Sequence, residues 1–235
     1  MHIVFTGSPG TAKTSVARLF ARILKEKGIL SEGRLIEVGR ADIVGRYVGE
    51  TAPLVKSTFQ RAKGCVLFID EAYSLVDDRK GLYGDEAINT IVQEMENHRD
   101  DVIVIFAGYK NEMQAFLERN PGLNSRIAFH VPFENYSEAE LLDITKSIAS
   151  KTGYTINENA TEKLLSIFKS AKSDDSFGNG RFARNLLERA EFEHSNRIKE
   201  KDIRFVSDDE LTTLNAEDFV YENTREEPRR IGFYT

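Results

Sequence analysis

Short apolar runs alternate with longer amphipathic stretches over the first 134 residues of the chain. HIVF (2–5), RLIEV (34–38), CVLFI (65–69), VIVIFA (102–107) and IAFHVPF (127–133) have the length and the β-branched and aromatic content of strands, and three of them are almost unbroken in apolar residues. Runs of that kind suit a parallel sheet covered on both faces, whose strands have no solvated side. The stretches between them, AKTSVARLFARILKEKG, ETAPLVKSTFQRAKG, DEAINTIVQEMENH and NEMQAFLERN, set apolar residues at helical spacing with charges opposite. Gly28 follows the first of these as a helix C-cap. Strand and helix in alternation predict an α/β domain over 1–134 with right-handed crossovers.

After Phe133 the strand signal stops. SEAELLDITKSIASKTG opens on a Ser-x-x-Glu capping box, Ser137 and Glu140, and ENATEKLLSIFKSAK and GRFARNLLERAEFEHSNRIKE continue the helical pattern. These predict a helical subdomain over 135–235. Residues 172–180 form a polar loop within it, and the stretch from Asn223 to Thr235 is charged and weakly patterned. No Pro- or Gly-rich linker divides the two parts, and no internal repeat is present.

Composition narrows the function class. With 235 residues and 40% hydrophobic content the chain can bury a full core. A formal charge of −6, from charges of both signs interspersed, offers no basic surface for DNA, RNA or acidic lipid. Cys65 lies in an apolar run and reads as a buried thiol in a reducing compartment. The absence of an 18-residue apolar run or a signal-peptide pattern predicts a cytoplasmic protein without a membrane partner. His2, His98, His130 and His194 are too scattered to suggest a metal site.

Candidate chemistry begins at the first strand, where HIVF runs into GSPGTAKT and directly into a helical pattern. That context is what a phosphate-binding loop requires. The segment Gly7, Ser8, Pro9, Gly10, Thr11, Ala12, Lys13, Thr14, Ser15 is the candidate nucleotide site: backbone N–H groups and the helix N-terminus face the phosphates, Lys13 reaches the β- and γ-phosphates, and the Thr14 hydroxyl binds Mg²⁺. Ala12 stands where the Walker A pattern has glycine, which is tolerable unless the local φ is positive. A glycine-rich turn without a ligand is the competing reading for this segment alone. CVLFIDEA then ends an apolar strand on Asp70 and Glu71, at the sheet edge where open α/β folds bind ligands. Asp70 would hold Mg²⁺ and Glu71 would polarise the attacking water of an ATP hydrolysis reaction.

The chain resembles an AAA+ ATPase of the CbxX/CfxQ type, the group with red-type rubisco activases and stage V sporulation protein K relatives. The resemblance is carried by FTGSPGTAKTSVAR, GRYVGETAPLVK, VLFIDEAYSL, YGDEAINTIVQEMEN, VIVIFAGYKNEM, NPGLNSRIAFHVPF, GNGRFARNLLERA and the terminal RRIGF. It implies a P-loop three-layer parallel sheet followed by an all-helical lid subdomain. It also implies that Arg126 is an arginine finger reaching a neighbouring subunit's nucleotide. Arg181, with Arg184 as a rival, is implied as the lid arginine that touches nucleotide within its own subunit. Tyr47, Val48 and Gly49 resemble the central pore loop that grips a threaded polypeptide, against the bland alternative that Tyr47 packs on its own domain, and 76–86 falls where a second pore loop would lie. The usual polar residue after the fourth strand is replaced by Gly108-Tyr109-Lys110-Asn111, leaving Tyr109 and Asn111 both open. The family's helix and linker that close over adenine precede the first strand, and the chain starts at that strand. The expectation is therefore a Mg-ATP-dependent ATPase that forms a ring, expected to be a hexamer, and remodels or threads a protein partner. The alternatives are a nucleotide-gated scaffold with little turnover and, disfavoured by charge, a DNA-remodelling enzyme.

Overall fold

The computed structural model describes residues 1–76, 82–174, 177–199 and 206–221. Two compact units divide the chain, Met1–Asn135 and Tyr136–Thr235.

The first unit is built on five parallel strands: β1 (His2–Gly7), β2 (Leu35–Val38), β3 (Val66–Ile69), β4 (Ile103–Gly108) and β5 (Ile127–Phe133). Their order across the sheet is β2-β3-β4-β1-β5, so β4 is inserted between the strands that carry the two candidate motifs. The helices are α1 (Lys13–Glu26), α2 (Arg40–Ile43), α3 (Thr51–Arg61), α4 (Leu82–Asn97), α5 (Lys110–Arg119) and α6 (Pro121–Asn124). The apolar runs of the central strands follow from burial on both faces. Ile3, Phe5, Val66, Phe68, Ile103 and Ile105 pack with Ala17, Ala21 and Leu24 of α1. Val4, Leu67, Ile69, Val104 and Phe106 pack instead with residues of α3, α4 and α5, including Val55, Phe59, Ile91, Met95 and Phe116. Cys65 is a buried free thiol. Gly28 has φ +71 just beyond α1, the left-handed stop predicted there.

The second unit holds α7 (Glu138–Lys151), α8 (Glu158–Ala171), α9 (Gly180–Lys199) and α10 (Asp208–Thr212). The Ser137 and Glu140 box forms as predicted: the Glu140 N–H donates to Ser137 Oγ at 3.2 Å, and the Ser137 N–H donates to Glu140 Oε2 at 2.8 Å. The Ser137 N–H and, at 2.7 Å, the Ser137 hydroxyl both donate to Glu140 Oε2, which favours the carboxylate and lowers its pKa. The helical pattern gives no hint of a small parallel ladder, β6 (Thr155–Ile156) against β7 (Thr213–Leu214). A second feature invisible in the pattern is the buried Asp218, which accepts from Arg197 Nε and Nη2, each at 2.8 Å.

The segment 77–81, within the expected second pore loop at 76–86, and the terminal RRIGF lie outside the described residues.

Candidate functional site

β1 ends at Gly7, and the chain must pass beside β5 as it leaves the sheet. A Cβ on Gly7 would stand 2.3 Å from the Phe133 carbonyl oxygen, so only glycine lets the loop begin there. The loop then uses left-handed backbone at Gly10, φ +71, and at Ala12, φ +65. Alternating left-handed residues turn successive N–H groups to one side, which is how a loop makes an anion-binding concavity. Thr11 Oγ1 donates to the Ser8 carbonyl at 2.8 Å and ties the concavity across its middle. The condition attached to Ala12 is therefore met in the unfavourable sense. Ala12 holds the conformation glycine would adopt freely, at a cost of about 1–2 kcal/mol for an L side chain. It is also the N-cap of α1, with no side-chain cap, while its carbonyl accepts from Val16 N at 2.9 Å. The Lys13 ammonium lies over the loop, donating to the Gly7 and Ser8 carbonyls at 2.8 Å each. Thr14 and Ser15 follow in the first turn of α1.

Asp70 and Glu71 leave β3 at the same edge of the sheet. Ile69 is aligned with Phe106 of β4, and Gly108 of β4 with Thr6 of β1, one residue before the loop. One strand between them sets β3 and β1 about 10 Å apart, twice the interstrand spacing. Asp70 N donates to Val38 O at 3.1 Å, prolonging the ladder, and Asp70 Oδ1 accepts from Glu71 N at 3.0 Å. Glu71 itself is in left-handed backbone, φ +47. Both carboxylate residues are exposed. A short 3₁₀ turn at Ala72–Val76 fastens the chain after Glu71 to the core through buried Ala72 and Leu75, and Ser74 N donates to Glu71 O at 2.7 Å.

Two contacts brace this turn that sequence reasoning missed. Arg40 Nη1, from α2, donates to the Ser74 carbonyl. Tyr73 stacks on Tyr109, with ring centroids 5.9 Å apart and planes at 27°. Burial, then the charge of Glu71, with Tyr109, Glu112 and Asp70 behind it, pushes the Tyr73 phenol up to about 12. Of the two residues left open after β4, Tyr109 is the one next to the strand end and in this stack, whereas Asn111 sits exposed in the first turn of α5.

Among the described residues no group of three or more His, Cys, Asp or Glu side chains could hold a metal ion. A Mg²⁺ ion bound with a nucleotide would need one or two protein oxygens, the rest coming from water and phosphate. Thr14 and Asp70 are the side chains suited to that share.

Arg126 stands elsewhere. It immediately precedes β5, whose Ile127 is aligned with His2, while Phe133 at the other end is aligned with Gly7. Arg126 and the phosphate loop thus occupy opposite edges of the sheet, separated by about 17 Å of strand at 3.3 Å per residue, beyond an arginine's reach. Its Nη1 donates to the Gly122 carbonyl at 2.9 Å, and Nε lies 3.5 Å from Glu96 Oε2. The segment between β2 and α3 presents Tyr47 and Val48 to solvent, 71% and 86% exposed, so Tyr47 does not pack on its own domain. Gly49 has φ +86 with open space around it, and Glu50 Oε2 accepts from the N–H groups of Arg46 and Tyr47 at 3.0 and 3.2 Å. In the second unit Arg181 and Arg184 are both exposed in the first turns of α9, and Asn179, φ +48, fixes the entry to that helix by accepting from Tyr136 N at 3.1 Å.

Comparison with known proteins agrees with this architecture. Residues 3–135 match the model of the ATPase family associated with various cellular activities (AAA), and residues 137–229 match the AAA lid domain. A CfxQ homolog of Pyropia yezoensis is 44% identical over 94% of this chain and 74% of its own length. A chloroplastic ribulose bisphosphate carboxylase/oxygenase activase of Cyanidioschyzon merolae is 44% identical over 94% of this chain and 75% of its own. Among solved structures, the FIGL-1 AAA domain shares the fold at TM-score 0.64 and 18% identity, covering 93% of this chain and 68% of that one.

Proposed function

The chain belongs to the AAA ATPases, within the CbxX/CfxQ group, and from that membership we propose that it hydrolyses Mg-ATP in a ring whose subunits complete one another's sites and pull on a protein partner. The observation that carries this reading is the strand register. Lys13, Thr14, Asp70 and Glu71 share the carboxyl edge of the sheet, while Arg126 is held at the amino edge, on the far end of β5. A guanidinium so placed serves another subunit's nucleotide.

In this reading the loop N–H groups and the Lys13 ammonium bind the phosphates, and Asp70 and Thr14 would hold Mg²⁺. The ion would neutralise charge on the β- and γ-phosphate oxygens. Glu71 accepts the proton of the attacking water. Arg126 of an adjacent copy spreads fixed positive charge over the transferring phosphoryl group. Arg181 reads the nucleotide from the lid. Exposed Tyr47 and Val48, with Gly49 as a hinge, supply the sequence-tolerant grip on a polypeptide. A relative named as a ribulose bisphosphate carboxylase/oxygenase activase makes that enzyme one candidate partner. No helix among the described residues is long and apolar enough to cross a membrane.

Phosphate release and nucleotide calorimetry on two variants test this. Glu71→Gln binds Mg-ATP without turning over. Arg126→Ala binds it nearly as the parent does and loses about 10³-fold or more in turnover, the scale of a missing arginine finger. Mixing the two variants restores activity, because intact Arg126 from the Glu71→Gln subunit completes the intact Glu71 site of its neighbour. Arg126→Ala with undiminished turnover, or a mixture as inactive as its parts, removes the case for shared sites.

A further inference from the structure

A finger that serves a neighbouring subunit's nucleotide has to be held ready by its own subunit. An arginine side chain is long and loses much freedom on being ordered, and a charge directed at a phosphoryl group is effective only when its geometry is set beforehand. The main chain at Arg126 meets that condition. Arg126 N donates to Leu123 O at 3.0 Å, and Leu123 N and Asn124 N donate to Asn120 O at 3.0 and 3.1 Å, so α6 is a closed turn. Leu123 is fully buried in the core that includes Ile91 and Met95 of α4.

The guanidinium is met at two further points. Nη1 donates to the Gly122 carbonyl at 2.9 Å, an oxygen that also accepts from Ser125 Oγ at 3.0 Å. Nε is buried without a hydrogen bond, and Glu96 Oε2, on the last turn of α4, lies 3.5 Å from it. Glu96 is itself held from its other oxygen, since Oε1 accepts from Arg99 Nη1 at 3.3 Å. A guanidinium is planar and rigid, so contacts at Nε and Nη1 set its plane and leave Nη2 without a partner among the described residues. The Glu96 side chain is 54% exposed and that of Arg126 32%, and an ion pair so open to water contributes little to folding. Its use is direction. At 3.5 Å the contact is longer than a good hydrogen bond, and contacts within catalytic machinery often shorten only when the ligand is bound.

We propose that Glu96 is a positioning residue for Arg126: its carboxylate, steadied by Arg99, fixes the guanidinium so that the N–H groups left over are presented to the neighbouring subunit's nucleotide. The assignment deepens the functional reading and rests on Arg126 acting in trans.

The test uses the full chain and steady-state phosphate release, with calorimetry on magnesium adenylates and a thermal melt as controls. Glu96→Ala removes the contact. It is expected to lower kcat about 10- to 100-fold, the scale of a misplaced catalytic group, with KM and nucleotide affinity within about twofold of the parent and the melting temperature within about a degree or two. Glu96→Gln, which keeps the shape without the charge, falls between the parent and Glu96→Ala, and it carries the same test should Glu96→Ala melt well below the parent. In an Arg126→Ala background, Glu96→Ala produces no further loss, because the group it directs is gone. Subunit mixing separates direction from damage. A Glu96→Ala subunit keeps an intact Glu71 site and lacks only a well-placed finger, so Glu71→Gln subunits restore its turnover while Arg126→Ala subunits do not. Were Glu96 merely structural, its loss would harm its own subunit's site and Glu71→Gln subunits could not rescue it. Turnover of Glu96→Ala within twofold of the parent or above it overturns the proposal, as does a further loss in the Arg126→Ala background or a failure of that rescue where Arg126→Ala is rescued. If instead Arg126→Ala retains parental turnover, Arg126 is not a finger, and the failure lies with the functional reading.

Discussion

Replacing Ala12 by glycine isolates the cost of the one departure in the phosphate loop. Ala12 occupies left-handed backbone at φ +65 and caps α1 without a side-chain bond, so its methyl group contributes strain and nothing in return. Relief of that strain is worth about 1–2 kcal/mol. The greater freedom of glycine in the unfolded chain opposes it by about 0.4–1 kcal/mol. The net expectation for Ala12→Gly is a gain of about 0.5–1 kcal/mol in the unit spanning Met1–Asn135, or a rise of about 2–4 °C in its melting temperature. The companion Ala12→Val places a β-branched residue at the same φ and should cost at least as much as the glycine gains. Urea unfolding followed by circular dichroism, without nucleotide, reads both. A destabilising Ala12→Gly, or an Ala12→Val indistinguishable from the parent, would mean that residue 12 is not left-handed in solution.

Gly7→Ala should fail more severely than any change at 12, because its Cβ would meet the Phe133 carbonyl at 2.3 Å and backbone must move; loss of nucleotide binding by calorimetry is the expected result. Asp218→Ala removes a buried carboxylate that accepts two bonds from Arg197 and one, at 2.7 Å, from Asn215 N, and should cost about 3–5 kcal/mol by chemical denaturation. His2 is lowered to about 4 by burial first, then by the N-terminal ammonium, and its Nδ1 accepts from Val104 N at 3.1 Å, a bond only the unprotonated ring can accept. The unfolded chain then binds the proton more readily than the folded one, so the stabilisation is complete above pH 6.5 and falls as pH drops toward 4, by at most ~3 kcal/mol. His2→Gln should flatten that part of the stability profile.

Local pattern accounts for the part of the fold and site that was legible in the sequence. Five strands and their helices could be read because parallel strands buried on both faces leave unbroken apolar runs, and the phosphate loop and Asp70-Glu71 could be named as candidates because each is contiguous. The left-handed φ of Ala12 was not readable, since residue identity there argues against the conformation it adopts. Arg40 bracing Ser74, 34 residues away, and the β6–β7 ladder joining Thr155 to Thr213 are pairings of distant positions that leave no periodicity. Tyr73 escaped notice because an aromatic residue after a strand usually signals core, and its stack on Tyr109 joins positions distant in the chain. Strand order is the decisive case. Nothing in the local pattern requires β4 to lie between β1 and β3 or β5 to run beside β1, yet that order sets the two motifs one strand apart, while the common direction of the parallel strands puts both at one edge and Arg126, just before β5, at the other. Pieces of a reaction centre can be recognised one at a time; whether a site is whole within one chain or divided between two is decided by topology.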